Sequence, residues 1–95
     1  MAATKLWIVA YDSPSDRRRR GLAQLLEGYG QRLQWSVFAC QLRTDQLRAL
    51  TRQLERRIDP NEDRVCCWPV AAQQLASIVV LGLPQLPTAA GDFIL

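Results

Sequence analysis

The chain contains no histidine. Its absence removes imidazole general bases, Ser-His-Asp and Cys-His triads, and histidine-ligated metal centres at once. There are only three cysteines, Cys40, Cys66 and Cys67. An odd number with two adjacent gives neither a disulfide framework nor a zinc spacing, so they read as small core hydrophobes in a reducing compartment. No apolar run approaches the ~18 residues of a membrane helix. The start, Met1 to Lys5, carries one lysine ahead of an apolar run that ends in Asp12, which does not resemble a signal peptide. Lysine is nearly missing too, with one residue against eleven arginines.

What is present is a folded, basic, arginine-dominated chain of 95 residues, one domain in size. A hydrophobic content of 48% argues against disorder. The net charge of +3 hides an asymmetry: Arg17 to Arg57 holds ten arginines against Glu27, Asp45 and Glu55, a net of +7, and the remainder is −4. Arginine's planar fork suits phosphate, whereas a merely solubilising surface mixes in lysine. An anionic polymer is the favoured partner, weighed against a plain solvated basic face. A core this small also makes dimerisation a natural source of stability.

The chain is organised around Leu6-Trp7-Ile8-Val9-Ala10-Tyr11-Asp12, an unbroken apolar run suited to a strand buried on both faces. Ser13-Pro14-Ser15-Asp16 fits a capping box with Pro14 at the first helical position. A helix follows from about 15 to 29, with Leu22, Leu25, Leu26 and Tyr29 on one face and Gly30 as a left-handed stop. Leu33, Trp35 and Val37 alternate with polar residues, and Phe38, Cys40 and Leu42 alternate in the opposite phase. That change implies two short strands broken near Ser36 and Val37. Thr44 reads as the cap of a second helix with an apolar stripe of Leu47, Leu50, Leu54 and Ile58, ending at the turn cluster from Asp59 to Asp63. Arg64 to Val70 is a further strand, 71 to 76 is ambiguous, and Ser77 to Gly82 is strand-like. Pro84 and Pro87 lead to a last apolar piece, Asp92 to Leu95. The order is α+β, the ferredoxin-like βαββαβ pattern, with an additional C-terminal strand. Residues 1–82 form the domain, and residues 83–95 are a linker and strand that would pack on a sheet edge or a partner subunit.

Asp12 is the leading chemical candidate, because magnesium prefers carboxylate oxygen and often takes only one or two protein carboxylates. Two copies across a dimer axis would pair it, and Asp16 would add a supporting acid. The residues leave a second reading open, in which Asp12 only closes a turn or caps the helix. Arg17, Arg18, Arg19 and Arg20 spread over more than a full turn and cannot all reach one ligand. Arg18 and Arg19 are expected to lie along the protein with their heads towards the site, and Arg17 and Arg20 to face solvent or phosphate. Arg48, Arg52 and Arg56 form a stripe that could follow a duplex backbone or remain simply exposed. Trp35 and Phe38 are read as core, leaving no base-stacking signature.

Together, Val9-Ala10-Tyr11-Asp12, Asp16-Arg17-Arg18-Arg19, Gly28-Tyr29-Gly30, Gln34-Trp35-Ser36-Val37-Phe38, Cys40-x-Leu42, Ile58-Asp59-Pro60-x-x-Asp63-x-Val65 and Val79-x-Leu81-Gly82 resemble the CRISPR-associated protein two family. The resemblance covers most of the chain. It implies a ferredoxin-like homodimer in the prokaryotic cytoplasm that docks between dimers of CRISPR-associated protein one, the integrase, and bridges prespacer duplex DNA during spacer acquisition. It also implies, for many members, a magnesium-dependent ribonuclease or deoxyribonuclease, with manganese as an alternative ion and single-stranded RNA as an alternative substrate. In that reading the metal ligand is the aspartate matching Asp12. Ala39 departs from the pattern, standing where many relatives carry glutamate. A ribonuclease toxin of the virulence-associated type, or another dimeric ferredoxin-like nucleic-acid-binding module, is the alternative.

Overall fold

The first apolar run becomes the strand that everything else is built against. In the computed structural model, which describes residues 3–79 and 81–82, β1 (Lys5–Asp12) is followed by α1 (Asp16–Glu27), β2 (Gln31–Gln34), β3 (Val37–Leu42), α2 (Thr44–Arg57), β4 (Arg64–Val70) and the short α3 (Ala72–Leu75). The four strands form one antiparallel sheet in the order β2-β3-β1-β4, the ferredoxin-like arrangement. β1 pairs with β3 from Lys5↔Leu42 to Ala10↔Val37, and with β4 from Leu6↔Val70 to Asp12↔Arg64. A strand with neighbours on both sides satisfies its backbone completely, so it can be apolar on both faces.

The strand period of two then sorts its side chains. Val9 and Tyr11 join Phe38, Cys40 and Leu42 beneath Leu22, Ala23 and Leu26 of α1 and Leu50 and Leu54 of α2, forming the main core. Leu6, Ile8 and Ala39 face the other way, where Leu75 of α3 covers them and Leu33, Val37 and Val70 pack alongside. Each fully buried leucine or phenylalanine contributes roughly 1.5–3 kcal/mol over leaving it in water, so the helix-covered face carries most of the stability. The other face keeps an apolar groove of about 320 Å³, lined among others by Ile8, Trp68, Leu75, Ile78 and Val79.

Several local expectations are corrected. Ser15, not Ser13, caps α1: its hydroxyl accepts from the Arg18 amide at 3.2 Å, while the Ser13 hydroxyl accepts from the Ser15 amide at 3.1 Å. The helix therefore begins at Asp16, two residues beyond Pro14, and ends at Glu27. Gly30 is not a left-handed stop, since Gly82 is the positive-φ glycine among the described residues. Its requirement is space: a Cβ there would collide with the Ala39 carbonyl oxygen and lie 2.6 Å from Cys40 Sγ. Arg43, not Thr44, caps α2, with the Gln46 side chain accepting from the Arg43 amide at 2.8 Å. Trp35 is not core. It sits in the turn between β2 and β3 and is 86% exposed, whereas Phe38 is fully buried.

The stretch from Ser77 is not a strand in its described residues. The Ser77 amide donates to the Gln74 carbonyl and the Ile78 amide to the Leu75 carbonyl, so the chain is still turning out of α3. The linker and strand expected at 83–95 lie outside the described residues. No helix among the described residues is long and apolar enough to cross a membrane.

Candidate nucleic-acid interface

Asp12 is the last residue of β1 and is exposed at the end of the sheet. On one side its ladder partner is Arg64, the first residue of β4, also exposed. On the other side β3 has already ended, and the β2–β3 turn takes its place. The Tyr11 amide donates to the Ser36 carbonyl at 3.0 Å, and the Tyr11 hydroxyl donates to the Trp35 carbonyl at 3.1 Å. The end of β1 is thus held between the β2–β3 turn on one flank and Arg64 on the other.

The turn behind Asp12 is fixed by Asp63, which the sequence presents only as one position of a motif. Its side chain is fully buried and gathers Arg18 Nε at 2.7 Å, Arg18 Nη2 at 3.2 Å and the Asp59 amide at 2.8 Å, together with the Ser13 hydroxyl. The Arg18 guanidinium is the main reason the Asp63 carboxyl is held down to about 2, with Ser13 and the Asp59 amide acting in the same direction. Arg18 also donates to Glu62 at 2.7 Å, and its own pKa is raised by Asp63 first and Glu62 second. The start of α1 is thereby tied to the loop before β4, and Ser13 is pinned directly after Asp12.

The other predicted residues divide by what holds them. Arg19 donates to the Ser13 carbonyl and to Asp16, so Asp16 closes the first turn of α1. Arg17 and Arg20 are exposed on α1, and Arg48, Arg52 and Arg56 are exposed along α2. No hydrogen bond or ion pair among the described residues holds these five guanidinium groups. Arg43, by contrast, is paired with Asp45 at 3.0 Å. Two arginines, one the ladder partner of Asp12 and one on β2, escape a reading of the sequence. Arg64 looks there like a plain strand start, and Arg32 lies with its guanidinium carbon 5.9 Å from the Trp35 ring and 5.2 Å from that of Phe38.

No group of three or more His, Cys, Asp or Glu side chains comes together as a metal-binding set among the described residues. With Asp16, Glu62 and Asp63 engaged by arginines and Asp59 by the Asn61 amide, Asp12 is the carboxylate that stands without a partner at this end of the sheet among the described residues. That donor set fits magnesium only as half of a site, completed by Asp12 of a second copy, water and substrate phosphate. Two of the thiols are poor ligands: burial pushes Cys40 up to about 11 and raises Cys67, while Cys66 is exposed on β4 and not in the core as its sequence suggests.

Known proteins match this arrangement along nearly the whole chain. A Synechocystis protein named CRISPR-associated endoribonuclease Cas2 3 is 39% identical over 89 residues, covering 94% of this chain and 97% of its own. A Thermus thermophilus protein named CRISPR-associated endonuclease Cas2 2 is 45% identical over 83 residues, covering 87% and 88%. Among solved structures, Streptococcus pyogenes Cas2 superimposes with a TM-score of 0.76 at 27% identity, covering 81% of this chain and 99% of that one. A chain of a partial Cas6-RT-Cas1–Cas2 complex does so at 0.66 and 26% identity, covering 81% and 90%. The family model for CRISPR associated protein Cas2 matches residues 5–78, from the start of the Asp12 strand to just beyond α3, and the chain belongs to that family.

Proposed function

We propose that the protein is a homodimeric, backbone-binding subunit of cytoplasmic CRISPR adaptation, which carries duplex nucleic acid between Cas1 integrase dimers and holds a magnesium-dependent nuclease centre at paired Asp12 residues. The observation that carries the reading is the division of the arginines: Arg18 and Arg19 at the start of α1 are spent on the fold, and five on the outer surface of α1 and α2 are not. Guanidinium groups without internal partners are available to phosphate, and backbone contact is sequence-independent. Homodimerisation is supported by the sheet face away from α1 and α2, where Trp68, Ile78 and Val79 are exposed around an apolar groove. The Cas1 partner is supported by the likeness to a chain from a Cas1–Cas2 complex.

At the strand end, Asp12 would hold the ion with its counterpart from the second copy. Magnesium there supplies charge neutralisation on phosphate and a bound water of lowered pKa. Arg64 is placed to orient a phosphodiester against that carboxylate, and Asp63 and Ser13 keep the turn behind it from moving. With no histidine in the chain, no imidazole takes part in proton transfer.

The test combines light scattering, duplex binding and cleavage on the purified protein. Expected are a dimer mass, duplex binding that weakens steeply with salt, and cleavage in magnesium that Asp12→Ala abolishes while leaving duplex binding intact. A monomer that ignores duplex DNA would overturn the reading. A dimer that binds duplex but cuts neither RNA nor DNA in magnesium or manganese would remove the nuclease part alone.

A further inference from the structure

Trp35 stands out on the surface beside Asp12. An indole that is 86% exposed adds nothing to the core, and large exposed aromatics usually mark contact sites. It lies outside both apolar clusters and does not line the groove that a second copy would cover. Its main chain is held all the same: the Trp35 carbonyl accepts from the Tyr11 hydroxyl at 3.1 Å, and the neighbouring Ser36 carbonyl accepts from the Tyr11 amide at 3.0 Å. Arg32 stands 5.9 Å from the ring, steadied over Phe38 at 5.2 Å. The result is a flat apolar surface on a fixed support, with a cation beside it and Asp12 one residue beyond the tyrosine that anchors it.

We propose that Trp35 is a stacking platform for an unpaired nucleobase, seating a single strand or a frayed end beside Asp12. This deepens the function proposed above and rests on it. Bases inside a duplex are already stacked on one another, so along its length a duplex offers an indole no open face, whereas an unpaired base does. Such stacking tolerates any base because every base has a flat face, while Arg32 at the ring is placed for a flanking phosphate. The face of the helices then serves duplex backbone, and the end of the sheet serves the strand that leaves it.

The experiment measures fluorescence anisotropy of labelled single-stranded RNA, single-stranded DNA of the same sequence, and a blunt duplex, across a range of salt. The proteins are wild type, Trp35→Ala and Trp35→Phe. Alanine keeps the main-chain carbonyl that Tyr11 uses, and a thermal melt unchanged from wild type checks the fold. The expected result is that Trp35→Ala weakens single-strand binding on the order of tenfold or more, with an unchanged salt slope and unchanged duplex binding, and that Trp35→Phe recovers most of the loss. A loss with both single strands assigns the contact to the base; a loss with RNA alone supports the platform with RNA as the source. Unchanged single-strand binding, an equal loss with duplex, or a drop in oligomer mass overturns the proposal, the last by placing a second copy on Trp35. If wild type binds duplex and only the Trp35 effect is missing, this inference fails alone; if wild type binds no nucleic acid, the functional reading fails with it.

Discussion

Arg18 and Arg48 are the same side chain on neighbouring helices, yet the molecule uses them in opposite ways. Arg18 is closed around Asp63 and Glu62 and ties α1 to the loop before β4. Arg48, with Arg52 and Arg56, lies on the outer surface of α2, where no carboxylate among the described residues reaches it. An arginine with a buried acid beside it supports the fold, while an arginine with only water beside it is available to a ligand. Charge counting treats the two alike, and geometry separates them.

The sharpest way to break this comparison is charge reversal on the outer stripe. Replacing Arg48, Arg52 and Arg56 together by glutamate should lower duplex affinity on the order of 100-fold at low salt and reduce the salt slope by about 0.9 for each phosphate no longer neutralised. The thermal melt should stay near that of wild type, because exposed substitutions away from special interactions cost little, usually within ~0.5 kcal/mol each. An unchanged slope would mean that the stripe touches no phosphate.

The inner set should show the reverse pattern. Asp63→Ala leaves Arg18, Ser13 and the Asp59 amide without their acceptor, so the melting temperature should fall by several degrees while duplex binding in the cold is kept. Because the folded Asp63 titrates near 2, below its ordinary value, its contribution is fully present above about pH 4 and drains away as the pH falls towards 2. Acid unfolding followed by circular dichroism should therefore lose part of its pH dependence in Asp63→Asn. If that variant keeps the whole acid transition, Asp63 is not the group that couples the loop to protons.

The smallest effect is expected at Asp16, whose ion pair with Arg19 is exposed. Asp16→Ala should cost no more than about 1 kcal/mol, measured by urea unfolding, and should leave cleavage unaffected. Loss of cleavage with the fold intact would return Asp16 to the metal site.

The features legible in the sequence were those set by local period. The run from Leu6 to Tyr11 suited a strand buried on both faces, the leucines of α1 and α2 formed apolar stripes, and the phase change between Val37 and Phe38 put a break near Ser36 and Val37, one residue beyond the turn at Trp35 and Ser36. What stayed hidden depends on distance along the chain or on a single step of register. Asp63 is 45 residues from Arg18, and no pattern connects them. Trp35 continued an apolar alternation by composition, but the turn begins at that residue, so the ring leaves the sheet. The strand reading after Ser77 rested on β-branched residues, and the hydrogen bonds closing α3 override that preference.

The position of β1 has a consequence for how the protein is made. Its two ladder partners, β3 and β4, are both synthesised after it, and Asp12 is aligned through the later of them, at Arg64. Made ahead of both partners, this strand waits unpaired until β3 has followed and keeps one open apolar edge until β4, near the end of the described chain. The acid at its tip acquires a fixed location only when the sheet closes, so a nascent chain halted before β4 carries the sequence of the site without the site.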